Sequence, residues 1–313
     1  MKVGIGSIAQ AKIQSAFGTP ATPDTKLNLA SESIGVTRNH GDEGNLLPSK
    51  TRNQRDLMSL AVGGGMSFIL RPEMADWLFE AALGKKSSGV YTLADVGSAL
   101  PVSTVVMSRA GVVKTYPDIT IRSITITAPS QDYVRVSIEV IGTKELNAGD
   151  TGAQTIQSIS FTLPSYRCTA ATLKYGTAGS AATTALCVEN TEITIDNGIE
   201  EAPATYCQGL YAGRPAPGLR NVGVNFQLPF SSDTDTFRKT YYTDPAAPAL
   251  SLELTFTTDN EDESIVIEIP HLGLNNAEDP VGGTGIIEAS FSGEALSVGA
   301  DEPITVTVTH DAA

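Results

Sequence analysis

The sequence predicts a mainly β protein in which one unit, a set of antiparallel strands with a flanking helix, occurs twice. Most apolar stretches alternate with small or polar residues at a period of two, which is typical of strands with one buried face. One segment has the wider spacing of an amphipathic helix. The third observation is an internal match, in which GMSFILRP at 65–72 is similar to GVNFQLPF at 223–230 and Met66 corresponds to Val224.

The match extends on both sides of this segment. Upstream, 34–36 is similar to 193–195 at nearly the same spacing, and downstream 134–138 is similar to 265–269 at a clearly shorter spacing. The shorter spacing downstream predicts that the first copy contains an extra segment near 85–111. Two copies of one unit in a chain are typical of proteins that are arranged in rings or arrays.

These matches predict two domains. The first copy covers 1–180 and the second covers 181–313, with the small and unpatterned stretch 176–185 at the junction. A chain of 313 residues has room for two domains and an ample core.

The first copy begins with an irregular arm at 1–24 and a strand at 26–37. The next segment, 38–60, is polar and rich in turn residues. Loops of this length are usually functional or disordered, so we predict a contact arm there. A second strand follows at 65–70.

The clearest helix is predicted at 72–83. Apolar residues recur at positions i, i+3, i+4 and i+7, and this stripe places Trp77 and Leu78 in the core. Pro72 suits the first helical position, and Gly84 suits the C-terminal stop.

The second copy has a weaker helix at 231–242, with Ser232 or Asp233 as its cap. The remaining elements alternate with the period of strands and fit a sheet or a partly closed barrel. We predict strands at 119–127, 133–141, 156–163, 250–257, 265–269, 286–291 and 304–309.

The charge of the chain is unevenly distributed. The net charge is −14, of which +3 falls within 1–180 and −17 within 181–313. Proteins hold a phosphate backbone with Lys and Arg, so this balance argues against a nucleic-acid-binding protein. It favours a soluble protein that repels nucleic acid or meets a basic partner.

Residues for catalysis or metal binding are sparse. We expect surface or loop roles for the three histidines, His40, His271 and His310. The three cysteines lack the spacing of a zinc site, and their odd number favours buried thiols in a reducing compartment: Cys168, Cys187 and Cys207. The acidic run at 258–264 lacks the glycine and the distal glutamate of a calcium loop and predicts a hairpin tip.

We therefore predict no enzymatic activity, no cofactor and no metal site. The first residues lack the apolar stretch of a signal peptide, and no apolar run reaches the roughly 18 residues that span a membrane, so neither is expected.

Longer stretches carry a resemblance to a known family. SESIGVTRNHGDEG and GGGMSFILRPEMADWLFEAALG resemble the N-terminal half of tail tube proteins from long-tailed bacteriophages. ALCVENTEITIDNGIEE and GLRNVGVNFQLPFSSDTDTFRKTYY resemble the second half of the same proteins. The order of strand, acidic turn, loop, strand and helix, present twice over about 19–308, carries the resemblance.

The resemblance implies a duplicated tail-tube-type β-sandwich or barrel, each copy with one flanking helix. It implies a structural virion protein, the major tail protein of a siphophage, that self-assembles into stacked rings and forms a channel for DNA ejection. DNA would pass through without specific binding. The implied location is the virion tail, after synthesis in the host bacterial cytoplasm.

The implied partners are further copies of the chain and proteins at the ends of the tube. A ring of three two-copy subunits is one possibility and a ring of six is the other; the end proteins would be tail tip, tail terminator or tape-measure proteins. Long loops bridge successive rings in this family. The candidate inter-subunit contacts are Arg38, Asp42, Glu43, Lys50, Arg52 and Arg55.

Two other functions stay open at this point. A β-sandwich adhesin or receptor-binding tail component would show aromatic clusters at loop tips, and aromatic residues make up only 6% of the chain. A hydrolase would need a pair of carboxylates about 5–10 Å apart.

Overall fold

The computed structural model describes residues 6–41, 56–95, 97–200, 209–211, 213–245, 249–258, 263–279 and 287–310. The named strands in these ranges pair with one another in the antiparallel sense and form an open sheet, beside which two α-helices lie. The prediction of a mainly β fold is confirmed. Neither described helix is long and apolar enough to cross a membrane.

The first half of the chain contains eleven strands and one helix in the described ranges. They are β1 (Ile8–Ile13), β2 (Thr25–Leu27), β3 (Leu29–Glu32), β4 (Gly35–Gly41), β5 (Asp56–Ile69), α1 (Pro72–Leu83), β6 (Gly84–Ser87), β7 (Val90–Leu93), β8 (Ser103–Arg109), β9 (Val112–Pro129), β10 (Arg135–Gly142) and β11 (Leu146–Asn147).

The second half contains eight strands and one α-helix among the residues that the structure describes. They are β12 (Thr172–Thr177), β13 (Thr184–Leu186), β14 (Asn190–Asp196), β15 (Asn221–Pro229), α2 (Ser232–Arg238), β16 (Leu250–Thr257), β17 (Ser264–Glu278), β18 (Glu288–Ala295) and β19 (Thr305–Thr309).

The same order of strand pairing occurs in both halves. In the first half, β1 pairs with β2 and β8, and β8 pairs with β9. β9 pairs with β11 along its first part and with β10 along its second part. β10 then pairs with β5, and β5 with β3 and β4. The second half repeats this order with β12, β13, β16, β17, β19, β18, β15 and β14. The β6–β7 hairpin is additional and pairs with β19.

Two irregularities give the residue-level correspondence between the halves. β8 has a register shift after Ser103, and β16 has one after Leu250, so these two residues correspond. Arg122 of β9 and Asn275 of β17 are each left unpaired at a bulge opposite the neighbouring strand, so they correspond as well. Bulges interrupt a ladder at one defined residue, so they mark equivalent positions more sharply than alternation does.

The cross-strand partners extend the correspondence to β5 and β15. Met66 lies opposite Ile138, and Phe226 lies opposite Phe291, so Met66 corresponds to Phe226 and not to Val224 as the sequence match predicted. The downstream match was also wrong, because β10 corresponds to β18 and not to β17. The extra segment in the first half is centred on the β6–β7 hairpin, since β8 has its counterpart in β16.

The two halves meet in one continuous ladder, which we call the internal junction. β9 pairs with β14 from Ser123 opposite Asp196 to Pro129 opposite Asn190. The side chain of Asn197, fully buried just after β14, donates hydrogen bonds to the carbonyls of Ile121 and Ala82, each at 3.0 Å. β14 therefore continues the sheet of the first half.

The N-terminal arm predicted at 1–24 contains a strand in its described part. β1 lies between β2 and β8, and its Ala9 and Ala11 are fully buried. The small side chains that made this segment look irregular let the strand fit tightly between its neighbours.

The two ends of the segment predicted as a loop at 38–60 are instead parts of β4 and β5, which pair with each other. Arg38 lies opposite Leu60, and β4 and β5 stay paired as far as Gly41 and Asp56. A polar strand with both faces in solvent lacks the apolar alternation from which strands are predicted. The rest of the predicted contact arm, residues 42–55, lies outside the described residues.

The segment predicted as a strand at 156–163 has no strand partner in the described part of the chain and lies as a strap, residues 153–163, across the first half. The Gln10 side chain accepts a hydrogen bond from the Gln157 N–H and donates one to its carbonyl, both at 2.7 Å. A carboxylate oxygen of Glu73 accepts from the N–H groups of Thr162 and Leu163, also at 2.7 Å. Side chains thus supply partners that a neighbouring strand would have supplied.

The stretch predicted as a junction at 176–185 forms a hairpin between β12 and β13. β12 also pairs with β16 and takes the place that β1 has in the first half. By pairing order, the change from one half to the other falls between β11 and β12.

Helix α1 spans Pro72–Leu83 and ends at Gly84, whose φ of 94° is in the left-handed region. Trp77 is 5% exposed and Leu78 is fully buried. The indole N–H of Trp77 donates to the hydroxyl of Ser103 at 3.2 Å and ties the helix to β8.

Helix α2 spans Ser232–Arg238, and a π-helical turn continues it over Lys239–Thr243. Its cap is Ser231, whose hydroxyl accepts from the N–H of Thr234 at 3.2 Å, and not Ser232 or Asp233 as predicted. Phe237 packs edge-on against the ring of Phe291.

Candidate functional site

One face of the central sheet is apolar and the other is polar. Across β5, β10, β9, β14, β15 and β18, alternate residues such as Ile124, Val136 and Phe226 are buried. The residues between them form what we call the polar sheet face. Its members include Ser67, Thr125, Thr127, Ser137, Glu192, Thr194, Asn225, Gln227, Ser290 and Ser292.

Hydroxyl groups form a row across this face in the first half. Ser67 lies opposite Ser31 and Ser137, and the hydroxyl oxygens of Ser31 and Ser67 are 2.8 Å apart. Ser137 lies opposite Thr125, and Thr125 lies opposite Thr194 across the internal junction, with 3.2 Å between the hydroxyl oxygens. The row therefore passes from one half into the other without interruption.

Amides and hydroxyls continue the face in the second half. The Asn225 amide donates to a carboxylate oxygen of Glu192 at 3.1 Å. Asn225 lies opposite Ser292, and Ser292 opposite Asn276. A depression of about 220 Å³ in this region is lined by further amides and hydroxyls, among them Gln227.

The charges on this face are mostly acidic. Glu139 and Glu294 are exposed, and Glu192 is half-buried. Arg135 is held at 2.9 Å by Asp132, three residues before it. The N–H of Tyr133 and the Arg135 guanidinium lower the pKa of Asp132.

At each end of the central sheet, one strand edge is unpaired in the described part of the chain. β4 pairs only with β5, and the second part of β17, beyond Leu272, pairs only with β18. Val36 of β4 is 38% exposed, whereas its counterpart at the internal junction, Ile195, is fully buried. Ala277, near the end of β17, is 6% exposed. Such edges are templates for pairing with another strand.

Among the predicted contact residues, Arg38 is exposed on β4. Its counterpart in the second half is Asn197, which closes the internal junction. The other five candidates, Asp42, Glu43, Lys50, Arg52 and Arg55, lie outside the described residues.

Two of the histidines lie close to carboxylates from other segments of the chain, and His40 is exposed on β4. His271 lies 2.9 Å from a carboxylate oxygen of Asp301. His310 lies between Glu263, at 2.6 Å, and Asp76 of α1, at 3.3 Å. In the described ranges, no group of three His, Cys, Asp or Glu side chains is placed to hold a metal ion.

The cysteines differ in their surroundings. Cys168 is buried, and burial together with the Asp132 carboxylate raises the pKa of its thiol to about 11. Cys187 is exposed, so the expectation of buried thiols was wrong for this residue. Cys207 lies outside the described residues.

Comparison with known proteins identifies the family. The chain matches the family model of the phage tail tube protein over residues 4–295. The chain belongs to the phage tail tube protein family. The resemblance seen in the sequence is therefore confirmed, and it identifies a structural component of the virion tail in a family that is generally non-enzymatic. A comparison with curated proteins finds no match.

For a tail tube protein, the polar sheet face is the feature that sequence reasoning missed. The sequence pattern that could have revealed this face lies in the positions between the apolar residues of the strands. These positions hold Ser, Thr, Asn and Gln more often than Lys or Arg. The apolar positions were used to predict strands, and their polar neighbours were treated only as solvent-facing.

Proposed function

We propose that this protein self-assembles into stacked rings that form a phage tail tube, with the polar sheet face as the wall of the channel for the genome. The observation that carries the proposal is the continuity of this face across the internal junction, with an unpaired strand edge at each end of the described sheet. Membership in the phage tail tube protein family supports a tube as the kind of assembly. The protein has no enzymatic role in this proposal.

The chemistry of the face supports a passage for DNA. The hydroxyl and amide side chains of this face can form only uncharged hydrogen bonds with DNA. The carboxylates of Glu139, Glu192 and Glu294 repel its phosphates. Tight binding of a phosphate backbone would require Lys or Arg side chains in numbers, because each neutralised phosphate adds to the affinity. A wall of this composition lets a polyanion pass without specific binding.

We further propose that the two halves are copies of one tail-tube unit, and that three chains form a ring with pseudo-sixfold symmetry. The repeated pairing order and the matching bulges support this proposal. Our boundaries of 1–180 and 181–313 stay predictions; the pairing order favours a boundary between β11 and β12. A ring of six chains is the alternative.

The segment at 42–55 remains our candidate for contacts between stacked rings. It contains five of the six predicted contact residues. Deletion of 42–55 should leave a folded subunit that still forms rings but fails to form long tubes. Tubes of normal length from this variant would contradict the assignment.

The experiment that tests the function is electron microscopy of the purified protein at high concentration, with class averages down the particle axis. Rings or tubes with a central hole are expected, and three chains per ring would support the pseudo-sixfold arrangement. Solid particles without a hole, or dispersed chains that stay single when tail tip protein is added, would favour a receptor-binding tail component.

The wall can be tested separately by charge. Changing Ser137, Thr125 and Asn225 together to Lys should leave rings intact, because these side chains lie away from both edges. Tubes of this variant should retain DNA that tubes of the unmodified protein do not. Equal retention would contradict the placement of the polar sheet face inside.

A further inference from the structure

We propose that residues 276–279 of one chain pair antiparallel with residues 34–37 of a second copy, in the register of the internal junction. This inference rests on the proposed ring and deepens it, because it identifies the two edges that meet and the residues that face each other. The occupant of each edge is a second copy of this chain.

The first step is that β17 ends in the way that β9 ends. Both are long strands that change partners part-way, and both carry a bulge at the change, at Arg122 in β9 and at Asn275 in β17. Beyond the bulge, β9 pairs with β10 on one side and with β14 on the other. Beyond its own bulge, β17 pairs with β18 on one side, and its other side is unpaired in the described ranges.

The second step is that β4 has the place in the first half that β14 has in the second. Val36 lies opposite Val62, and Ile195 lies opposite Val222, in strands that hold the same place in the pairing order. The side of β14 that faces away from β15 is paired with β9. The corresponding side of β4 is unpaired in the part of the chain that the structure describes.

The third step is the register. At the internal junction, Ile124 lies opposite Ile195, and Ser123 lies opposite Asp196. The counterpart of Ile124 in β17 is Ala277, and the counterpart of Ile195 in β4 is Val36, so Ala277 lies opposite Val36 of the second copy. The same correspondence gives the neighbouring pairs: Asn276 lies opposite Thr37, and Glu278 lies opposite Gly35.

Burial supports this register. Ile195 is fully buried because β9 and β15 flank its strand on both sides, whereas Val36 is 38% exposed in the single chain. Pairing in the proposed register places Val36 beside Ala277 on the apolar side of the sheet. A register shifted by one residue would set Val36 opposite Asn276 or Glu278, whose side chains point to the other face of β17, because strand side chains alternate between faces.

Arg38 adds a polar contact at the same place. Asn197 closes the internal junction through the carbonyl of Ile121, at 3.0 Å. Asn197 corresponds to Arg38, and Ile121 corresponds to Leu274. The guanidinium of Arg38 in one copy therefore donates to the backbone carbonyl of Leu274 in the next. This assigns a contact to the one predicted candidate that the structure describes.

The test is disulfide trapping in a background in which Cys187 and Cys207 are replaced by serine. Val36→Cys with Ala277→Cys should cross-link under mild oxidation into covalent rings, because opposed residues in a ladder have Cβ atoms about 4.5–5.5 Å apart. Ile124→Cys with Ile195→Cys is the matched control and should cross-link within one chain. Ile34→Cys with Ala277→Cys, which is two positions out of register, should cross-link at least tenfold less.

A second variant tests the edge without cysteines. Val36→Lys should prevent ring formation at concentrations at which the unmodified protein forms rings, while the melting temperature of the single chain is unchanged. Val112→Lys, at a valine that is 48% exposed and away from both edges, is its control and should form rings normally.

The outcomes separate this inference from the proposed function. Rings seen by microscopy that do not cross-link through the Val36 and Ala277 pair, or that form equally well with Val36→Lys, would overturn the register and leave the tube assignment intact. Absence of rings from the unmodified protein, even with tail tip protein present, would overturn both.

Discussion

Replacing Trp77 by alanine should destabilise the protein strongly, because this side chain joins α1 to the sheet. It is 5% exposed, and its indole N–H donates to the hydroxyl of Ser103, which is 1% exposed. Truncation of a buried Trp or Phe costs about 3–5 kcal/mol, and the unpaired hydroxyl adds roughly 1 kcal/mol. We expect a decrease of about 4–6 kcal/mol in the free energy of unfolding.

The assay is urea unfolding followed by circular dichroism, since Trp77 is the sole tryptophan and its loss removes the fluorescence signal. Trp77→Phe is the matched control and should lose about 1–2 kcal/mol, because most of the ring stays buried. Phe237→Ala, at the corresponding position of α2, should also be destabilising, since Phe237 is 4% exposed. A decrease below about 1 kcal/mol for Trp77→Ala would refute the packing of α1 described here.

Three further predictions follow from individual side chains. Glu73→Ala should release the strap, seen as faster hydrogen exchange of its backbone amides, and cost about 2–3 kcal/mol, whereas Glu73→Gln keeps an acceptor oxygen and should cost about half as much. Burial and the Glu145 carboxylate raise the pKa of Tyr116 from 10.0 to about 12, against the opposing effect of Arg109. The contribution of Tyr116 to stability is therefore complete below pH 10 and is lost as the pH rises through 12, so Tyr116→Phe should flatten the alkaline decline in melting temperature. At pH 8, iodoacetamide should modify Cys187 well before Cys168, and peptide mass spectrometry that finds equal rates would contradict the burial of Cys168.

Much of the fold could be predicted from local patterns. The apolar stripe through Trp77 and Leu78, with a proline at one end and a glycine at the other, predicted both the bounds and the buried side of α1. Helix packing and helix ends both depend on nearby residues. The alternation in β10, β16 and β19 predicted strands for the same reason. These elements carry their own signals and need no information from distant parts of the chain.

The alignment of the two halves could not be predicted in this way. A shift of two positions leaves every strand side chain on its own face, so alternation cannot distinguish Val224 from Phe226 as the counterpart of Met66. It also cannot distinguish β17 from β18 as the counterpart of β10. The bulges at Arg122 and Asn275 decide both questions, and a bulge is a property of two paired strands rather than of one segment.

The strap and the polar sheet face depend on tertiary structure in a different way. Residues 156–163 alternate like a strand, but Gln10 and Glu73, far away in the sequence, satisfy their backbone groups first. The polar sheet face became visible only when the strand order placed Thr125 beside Thr194. Composition alone could not show that these hydroxyls adjoin.

The internal junction has a kinetic consequence. β9 and β14 belong to one chain, so they find each other at a rate that does not depend on protein concentration, whereas an equivalent contact between two chains requires a collision. Tethering replaces the bulk concentration by an effective local concentration that can reach the millimolar range. A dilute solution therefore already contains every internal junction in its finished form, and only the contacts between chains remain sensitive to how much protein the cell has made.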